Sequence, residues 1–247
     1  METIGYETDY LKEQMRLLDV DVRLGHTANT VDLLAESPDV VVIATGASAR
    51  VPVDIKGLET CLKTGKVLTI DQVMDRDNPA DPGQTVLIYG AGEGMELAVN
   101  LHRQGRTVRL LDYRPNLQPA NYIGSRSAKV LQWLEMYKLQ AEPNVLIEEI
   151  SGSQITLSHN PDPGHFEAFL MDSEMVSSDI SPDKLRELQS AQRGESPGLA
   201  ATTLKTKSGE AARREIVTCD SLVLALGRRS NNSLMKELQG HGVQVDI

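Results

Sequence analysis

The sequence predicts an α/β fold in which a three-layer βαβ lobe is inserted into a second, partial α/β lobe, and three observations predict it. Between Thr85 and Glu96 the run TVLIYGAGEGME passes from a short apolar strand into three glycines and then into helix-forming residues. Two continuous apolar runs, PDVVVIATGA (38–47) and SLVLALG (221–227), each end in a small residue and a glycine, as parallel strands buried on both faces do. Between these runs, helical and strand spacings of apolar residues alternate, which is the βαβ rhythm of a Rossmann-like lobe.

At 247 residues the chain is long enough for one large domain or two small lobes. Its formal net charge of −10 argues against a nucleic-acid or anionic-membrane surface, because neutralising phosphates takes clustered Lys and Arg. No secretory signal stands at Met1–Leu11 and no apolar run approaches the roughly 20 residues of a membrane span. A cytoplasmic address is the expectation. Cys61 and Cys219 are far apart and belong to no C-x-x-C pair, so they read as small apolar residues and no metal centre is expected.

In chain order, Leu11, Met15 and Leu18 share one face of a helix over 8–18, VDVRLG (20–25) alternates like a short strand, and NTVDLLAES (29–37) suits a second helix. PDVVVIATGA then reads as core of an open sheet, its Thr45-Gly46 either a plain strand end or part of a site. Residues 48–82 cross between lobes: a Pro/Gly-punctuated segment, a strand with a short helix in VLTIDQVM (67–74), and the turn cluster RDNPADPG, with a boundary near Pro82.

The glycine run carries the chemistry. A strand over Val86–Tyr89 ends at Gly90, and glycines there let the backbone turn tightly and approach a pyrophosphate seated on the next helix, 94–104. Gly90 and Gly92, with Ala91 between them, fill the first two places of G-x-G-x-x-G, but Met95 holds the sixth and Gly94 comes one residue early. Glu93 brings a negative charge towards the expected phosphates. The second strand, TVRLLD, ends in Asp112, 22 positions after Gly90, close to the roughly 20-residue offset at which an acid receives the ribose hydroxyls of NAD. Asp112 reads equally as a solvated strand end. Next to it, Tyr113 and Arg114 join the candidate set, and the Arg114 cation keeps a 2′-phosphate, hence NADP, open.

Beyond Ser125, Val130, Trp133, Leu134 and Tyr137 fall at helical intervals as a packing face. NVLIEEI, SQITLS, TTLKTK (202–207) and EIVTCD (215–220) read as strands of a small antiparallel layer. Between them, 160–198 holds eight acids against three bases and supplies half the net charge. It contains a helix start at Ser181, Pro182 and Asp183, and also Phe166 and Phe169, which dock either on this protein or on a partner. The closing run SLVLALGRRSNNSL mirrors PDVVVIATGA, and Val40–Gly46 and Leu222–Gly227 are expected as strands of one lobe.

Taken together, PDVVVIATGA, VLTIDQVM, VLIYGAGEGMELA, VRLLD and CDSLVLALGRRSNNSL resemble the pyridine nucleotide-disulfide oxidoreductase module of flavoenzymes. The pattern is most similar to the C-terminal part of the old-yellow-enzyme relatives, such as 2,4-dienoyl-CoA reductase and trimethylamine dehydrogenase. The resemblance implies a partial flavin-type lobe over 1–82, an NAD(P)-binding lobe over 83–218 carrying the 160–198 insert, and a return strand of the first lobe over 219–247. It places Gly90, Ala91, Gly92, Glu93, Gly94, Asp112, Tyr113 and Arg114 at the nicotinamide nucleotide, NAD(H) or NADP(H), and adds Thr45, Gly46 and Gly227, at the ends of the flanking strands, to the cofactor-binding set. The flavin lobe's own glycine finger and its closing Gly-Asp strand are not found, so FAD is expected only if another chain or further segments complete the site. The implied function is to orient a nicotinamide for hydride transfer to a flavin, with a flavin-carrying subunit as possible partner and no catalytic acid or base named. The alternative is a non-catalytic interaction subunit or a truncated remnant.

Overall fold

The computed structural model describes residues 2–52, 55–114, 132–139, 141–159, 213–242 and 244–246. The acidic segment 160–198 with its two phenylalanines and helix start, the expected strand 202–207, and Val130 lie outside the described residues. The chain divides into two compact units: Gly46–Ser230, and Met1–Thr45 together with Asn231–Ile247.

The larger unit is built on a parallel sheet of β3 (Val67–Thr69), β10 (Ser221–Leu224), β4 (Thr85–Tyr89), β5 (Thr107–Leu111) and β6 (Ala141–Glu142), in the spatial order β3-β10-β4-β5-β6. Its central strands are buried on both faces. Leu87 and Tyr89 of β4 and Leu222 and Leu224 of β10 enter one core, while Val86, Ile88 and Val223 enter the other. The first core is closed by α3 (Leu58–Lys63) and an antiparallel sheet of β7 (Val145–Ser151), β8 (Gln154–His159) and β9 (Arg213–Thr218). The second is closed by α4 (Ile70–Val73), α5 (Glu93–Arg103) and Leu134 from a helical turn over 132–136, against which Trp133 packs half-buried. Three layers result, as the alternating pattern predicts. A two-stranded antiparallel ribbon, β2 (Ala47–Ala49) with β11 (Arg228–Ser230), completes the unit.

A charged link holds the antiparallel layer to the parallel sheet: Arg109 of β5 reaches Glu215 of β9 at 2.9 Å, and within its own sheet it reaches Glu142 of β6 at 2.6 Å. Within the antiparallel layer, His159 Nε2 of β8 stands 2.7 Å from the same Glu215 carboxylate. The Arg109 guanidinium, with His159, holds the Glu215 carboxyl down to about 2, against the desolvation that raises it.

In the smaller unit, β1 (Val40–Val42) pairs in parallel with β12 (Gln244–Asp246), and Val41, Ile43 and Leu238 of α6 (Ser233–Gln239) form a small core with α2 (Thr30–Ala35). Asn29 caps α2, its side chain accepting from the Asp32 amide at 3.0 Å. The helix expected over 8–18 is present as α1 (Glu2–Leu17).

Three expectations need correction. VDVRLG forms no strand: Asp19 turns left-handed (φ 54°) and the Val20 amide donates back to Met15 O at 3.0 Å, a helix ending that leaves 20–25 without a ladder partner. PDVVVIATGA is not buried on both faces, since β1 belongs to a two-stranded sheet and exposes Val40 and Val42. Leu222–Gly227 does not share a sheet with Val40–Gly46; β10 lies between β3 and β4. The compact units divide at Thr45/Gly46 and Ser230/Asn231, and β10, from the expected return segment, pairs with β4 of the expected nucleotide lobe.

Candidate functional site

In an open parallel sheet, the strand at which connections depart in opposite directions leaves a crevice beyond its C-terminal end. Here β4 continues through α5 to β5 on one side and has β10 on the other. The glycine turn stands at that crevice.

Its three glycines serve different ends. Gly90 is held at φ 114°, and a Cβ there would lie 2.1 Å from the Ala225 carbonyl oxygen beyond β10, so no other residue lets the two strands approach this closely. A Cβ on Gly94 would meet Ile88 Cγ2 at 2.9 Å and the Ala225 Cβ at 3.1 Å. The early glycine therefore does what the third one of the fingerprint does, bringing the helix tightly onto the sheet. Gly92 differs, with nothing within 4 Å of its Cβ direction. It is the N-cap of α5 and makes no side-chain capping bond, so this helix end presents open backbone.

Asp112 follows β5 and is fully buried. Its Oδ2 accepts from the Ala91 amide at 2.5 Å and from Arg114 Nη2 at 2.8 Å, while Oδ1 accepts from the Arg114 amide and Nε, both at 2.8 Å. Four donors occupy the carboxylate, so it is not free for ribose hydroxyls as the spacing led one to expect. It is instead a clasp between the glycine turn and Arg114. Burial works against the Arg114 cation, but the hydrogen bonds and charge of Asp112 outweigh it and hold its pKa above the ordinary value. The Arg114 guanidinium also lies 5.6 Å from the centre of the Tyr113 ring. Tyr113 meets Tyr89 edge-on at 6.3 Å, and burial raises both phenols above their usual range, so both stay protonated.

Glu93, the first residue of α5, turns to Arg228, whose Nε lies 3.4 Å from its Oε1. Glu93 Oε2 is buried and has no hydrogen-bond partner. Arg228 reaches Asp71 of α4 at 2.6 Å, and Asp71 also accepts from the Ala49 amide at 3.0 Å. Sequence reasoning missed Arg228 and Asp71, because they meet Glu93 only through the order of β3, β10 and β4.

Thr45 Oγ1 donates to Asn231 O at 2.7 Å, and Asn231 Nδ2 returns a bond to Thr45 O at 3.1 Å. Gly46 (φ 70°) leads into β2 and Gly227 (φ 89°) into β11, at opposite ends of that ribbon. Among the described residues no cluster of His, Cys, Asp or Glu suits a metal ion, and no helix is long and apolar enough to cross a membrane.

Comparison with known proteins agrees with this architecture. Bilirubin reductase of Mediterraneibacter gnavus (strain CC55_001C) is 26% identical over 239 residues, 96% of this chain and 28% of that protein. The structure of 2-naphthoyl-CoA reductase in complex with 2-naphthoyl-CoA superposes with a TM-score of 0.62 at 18% identity, covering 96% of this chain and 27% of that one. The 6-hydroxypseudooxynicotine amine oxidase of Pseudomonas geniculata N1 gives 0.57 at 16% identity, covering 92% and 28%. The chain thus spans little more than a quarter of the length of each. The family model for pyridine nucleotide-disulphide oxidoreductases matches residues 8–172, and the chain belongs to that family.

Proposed function

We propose that this chain binds NAD(H) or NADP(H) and orients its nicotinamide for hydride transfer to a flavin, as one portion of a flavin-dependent oxidoreductase. The observation that carries the reading is the open Gly92 end of α5 beside a Gly90 backbone pressed against β10 at the sheet's crevice. Unfilled space and uncapped amides there fit a pyrophosphate. Asp112 does not fit the ribose role, and its part is to hold Ala91 and Arg114 in place. The Arg114 cation is spent largely on Asp112, so a preference between NAD and NADP rests on whichever donors of Arg114 a 2′-phosphate can reach.

The cofactors supply the hydride and its acceptor; the chain's residues position and exclude. Gly90, Ala91 and Gly92 shape the turn, Gly94 sets the height of α5, and no residue is given a proton to move. The resemblance to old-yellow-enzyme relatives and the likeness to a bilirubin reductase support a longer polypeptide or an assembly in which FAD is bound once another chain or further segments complete the flavin site.

Titration with NADH and NADPH, followed by Trp133 emission and by melting temperature, tests the reading. Gly92→Asp is the informative variant: it puts a carboxylate into the open space while Asp remains a good helix cap. Saturable binding by the wild type and its loss in Gly92→Asp are expected. No saturation at about millimolar nucleotide, a Kd worth about 4 kcal/mol, refutes the proposal.

A further inference from the structure

The fourth place of the glycine turn holds an acid, and a dinucleotide carries two negative charges to that place. Glu93 opens α5, and α5 leaves the sheet from β4. Asp71 lies in α4, which leaves from β3. The strand between β3 and β4 is β10, and four residues past its end stands Arg228. Topology therefore sets one cation between two acids at the mouth of the crevice.

The two contacts are unequal. Arg228 Nη2 to Asp71 is 2.6 Å, whereas Nε to Glu93 is a long 3.4 Å, and the other Glu93 oxygen is buried without any donor. Asp71 also ties down the Ala49 amide of the ribbon that carries Arg228. Arg228 is thus anchored by Asp71, and from that anchor it offsets Glu93.

Resting on the nicotinamide-nucleotide reading above, we propose that Arg228 is the positioning residue that makes the glycine turn competent for a pyrophosphate. It neutralises Glu93 and holds that carboxylate aside, while Asp71 fixes Arg228 itself. The role is compensation, so Arg228 is needed only while Glu93 is charged.

Binding of NADH to four purified proteins tests this: wild type, Arg228→Ala, Glu93→Gln and the double variant. An uncompensated charge about 4 Å from a phosphate changes affinity by about fivefold in water and by far more at lower dielectric; Arg228 and Glu93 are each 43% exposed, so an effect near the watery end, about tenfold, is expected. Arg228→Ala is expected to weaken binding about tenfold, and Glu93→Gln to strengthen it about threefold. The double variant should return to within about threefold of wild type, and Arg228→Lys, which keeps the charge, should lose less than the alanine variant. A double variant as weak as Arg228→Ala overturns the proposal, because Arg228 would then act on the ligand or on the fold directly. Melting temperatures of all variants separate a folding defect: rescue of binding by Glu93→Gln without rescue of melting temperature supports compensation. If wild type and Glu93→Gln both fail to bind, the nucleotide reading fails and this inference with it. Binding by Glu93→Gln but not by wild type keeps the nucleotide site and overturns this inference, because Arg228 then fails to offset Glu93.

Discussion

Replacing Asp112 by Asn keeps shape and volume but removes the charge from the centre of the clasp. Each carboxylate oxygen accepts two donors, one backbone amide and one guanidinium nitrogen apiece. Whichever oxygen becomes an NH2 group, two donors face a donor. Breaking a buried ion pair from one side costs about 3–5 kcal/mol, and an amide left without an acceptor adds about 1–3 kcal/mol. Arg114 retains some access to water, its side chain 17% exposed, so the lower end applies and about 3 kcal/mol is expected. Urea unfolding followed by Trp133 emission reports this unit, since Trp133 packs on its second core. Adding Arg114→Met to Asp112→Asn should recover at least about 1 kcal/mol, because the stranded cation is gone. A loss below about 1 kcal/mol for Asp112→Asn, or a double variant that is simply the sum, would show that the clasp does not hold the turn.

Gly90→Ala should be far more damaging than Gly92→Ala. The first forces a Cβ to 2.1 Å from a carbonyl at positive φ, for a loss above about 3 kcal/mol, and the second enters open space for less than about 1 kcal/mol, both measured as urea midpoints. Acid should weaken the antiparallel layer. Glu215 has a folded pKa of about 2 against an ordinary 4.5, so its contribution is complete above about 4.5 and is lost as pH falls through 2. The pair is partly exposed, which limits the effect to about 1 kcal/mol, and Glu215→Gln should flatten the melting temperature over that window. Cys61 and Cys219 are both buried, and burial pushes the Cys219 thiol up to about 11. Thiol reagents should therefore label the unfolded protein quickly and the native protein slowly; fast native labelling of either would contradict the packing.

The local features were legible in the residues themselves. A strand that stops at glycine, an acid after the next strand, and the antiparallel strands NVLIEEI, SQITLS and EIVTCD all depend on neighbours close in sequence, and the structure has them. What the residues did not reveal was pairing. A run such as VVVIA looks alike with one neighbour or two, because periodicity records how apolar a strand is and not how many partners it has. β10 found its place beside β4 across more than 130 residues, and nothing in SLVLALG names that partner. The same gap hid Arg228, whose meaning depends on β10 lying between the strands that feed α4 and α5. Asp112 was found by spacing, but its saturation by Arg114 and Ala91 is a matter of burial, which spacing does not report.

One consequence of the β2–β11 ribbon concerns how such a unit travels. Ala47 and Ser230 are paired in it, so the chain enters the larger unit and leaves it at neighbouring points. A segment whose two ends already meet can be spliced into a host loop, or excised and its ends joined by a short linker, with little loop-closure entropy to overcome. The ribbon is thus a natural cut-and-join seam, and residues 46–230 form a cassette that can be moved as a piece.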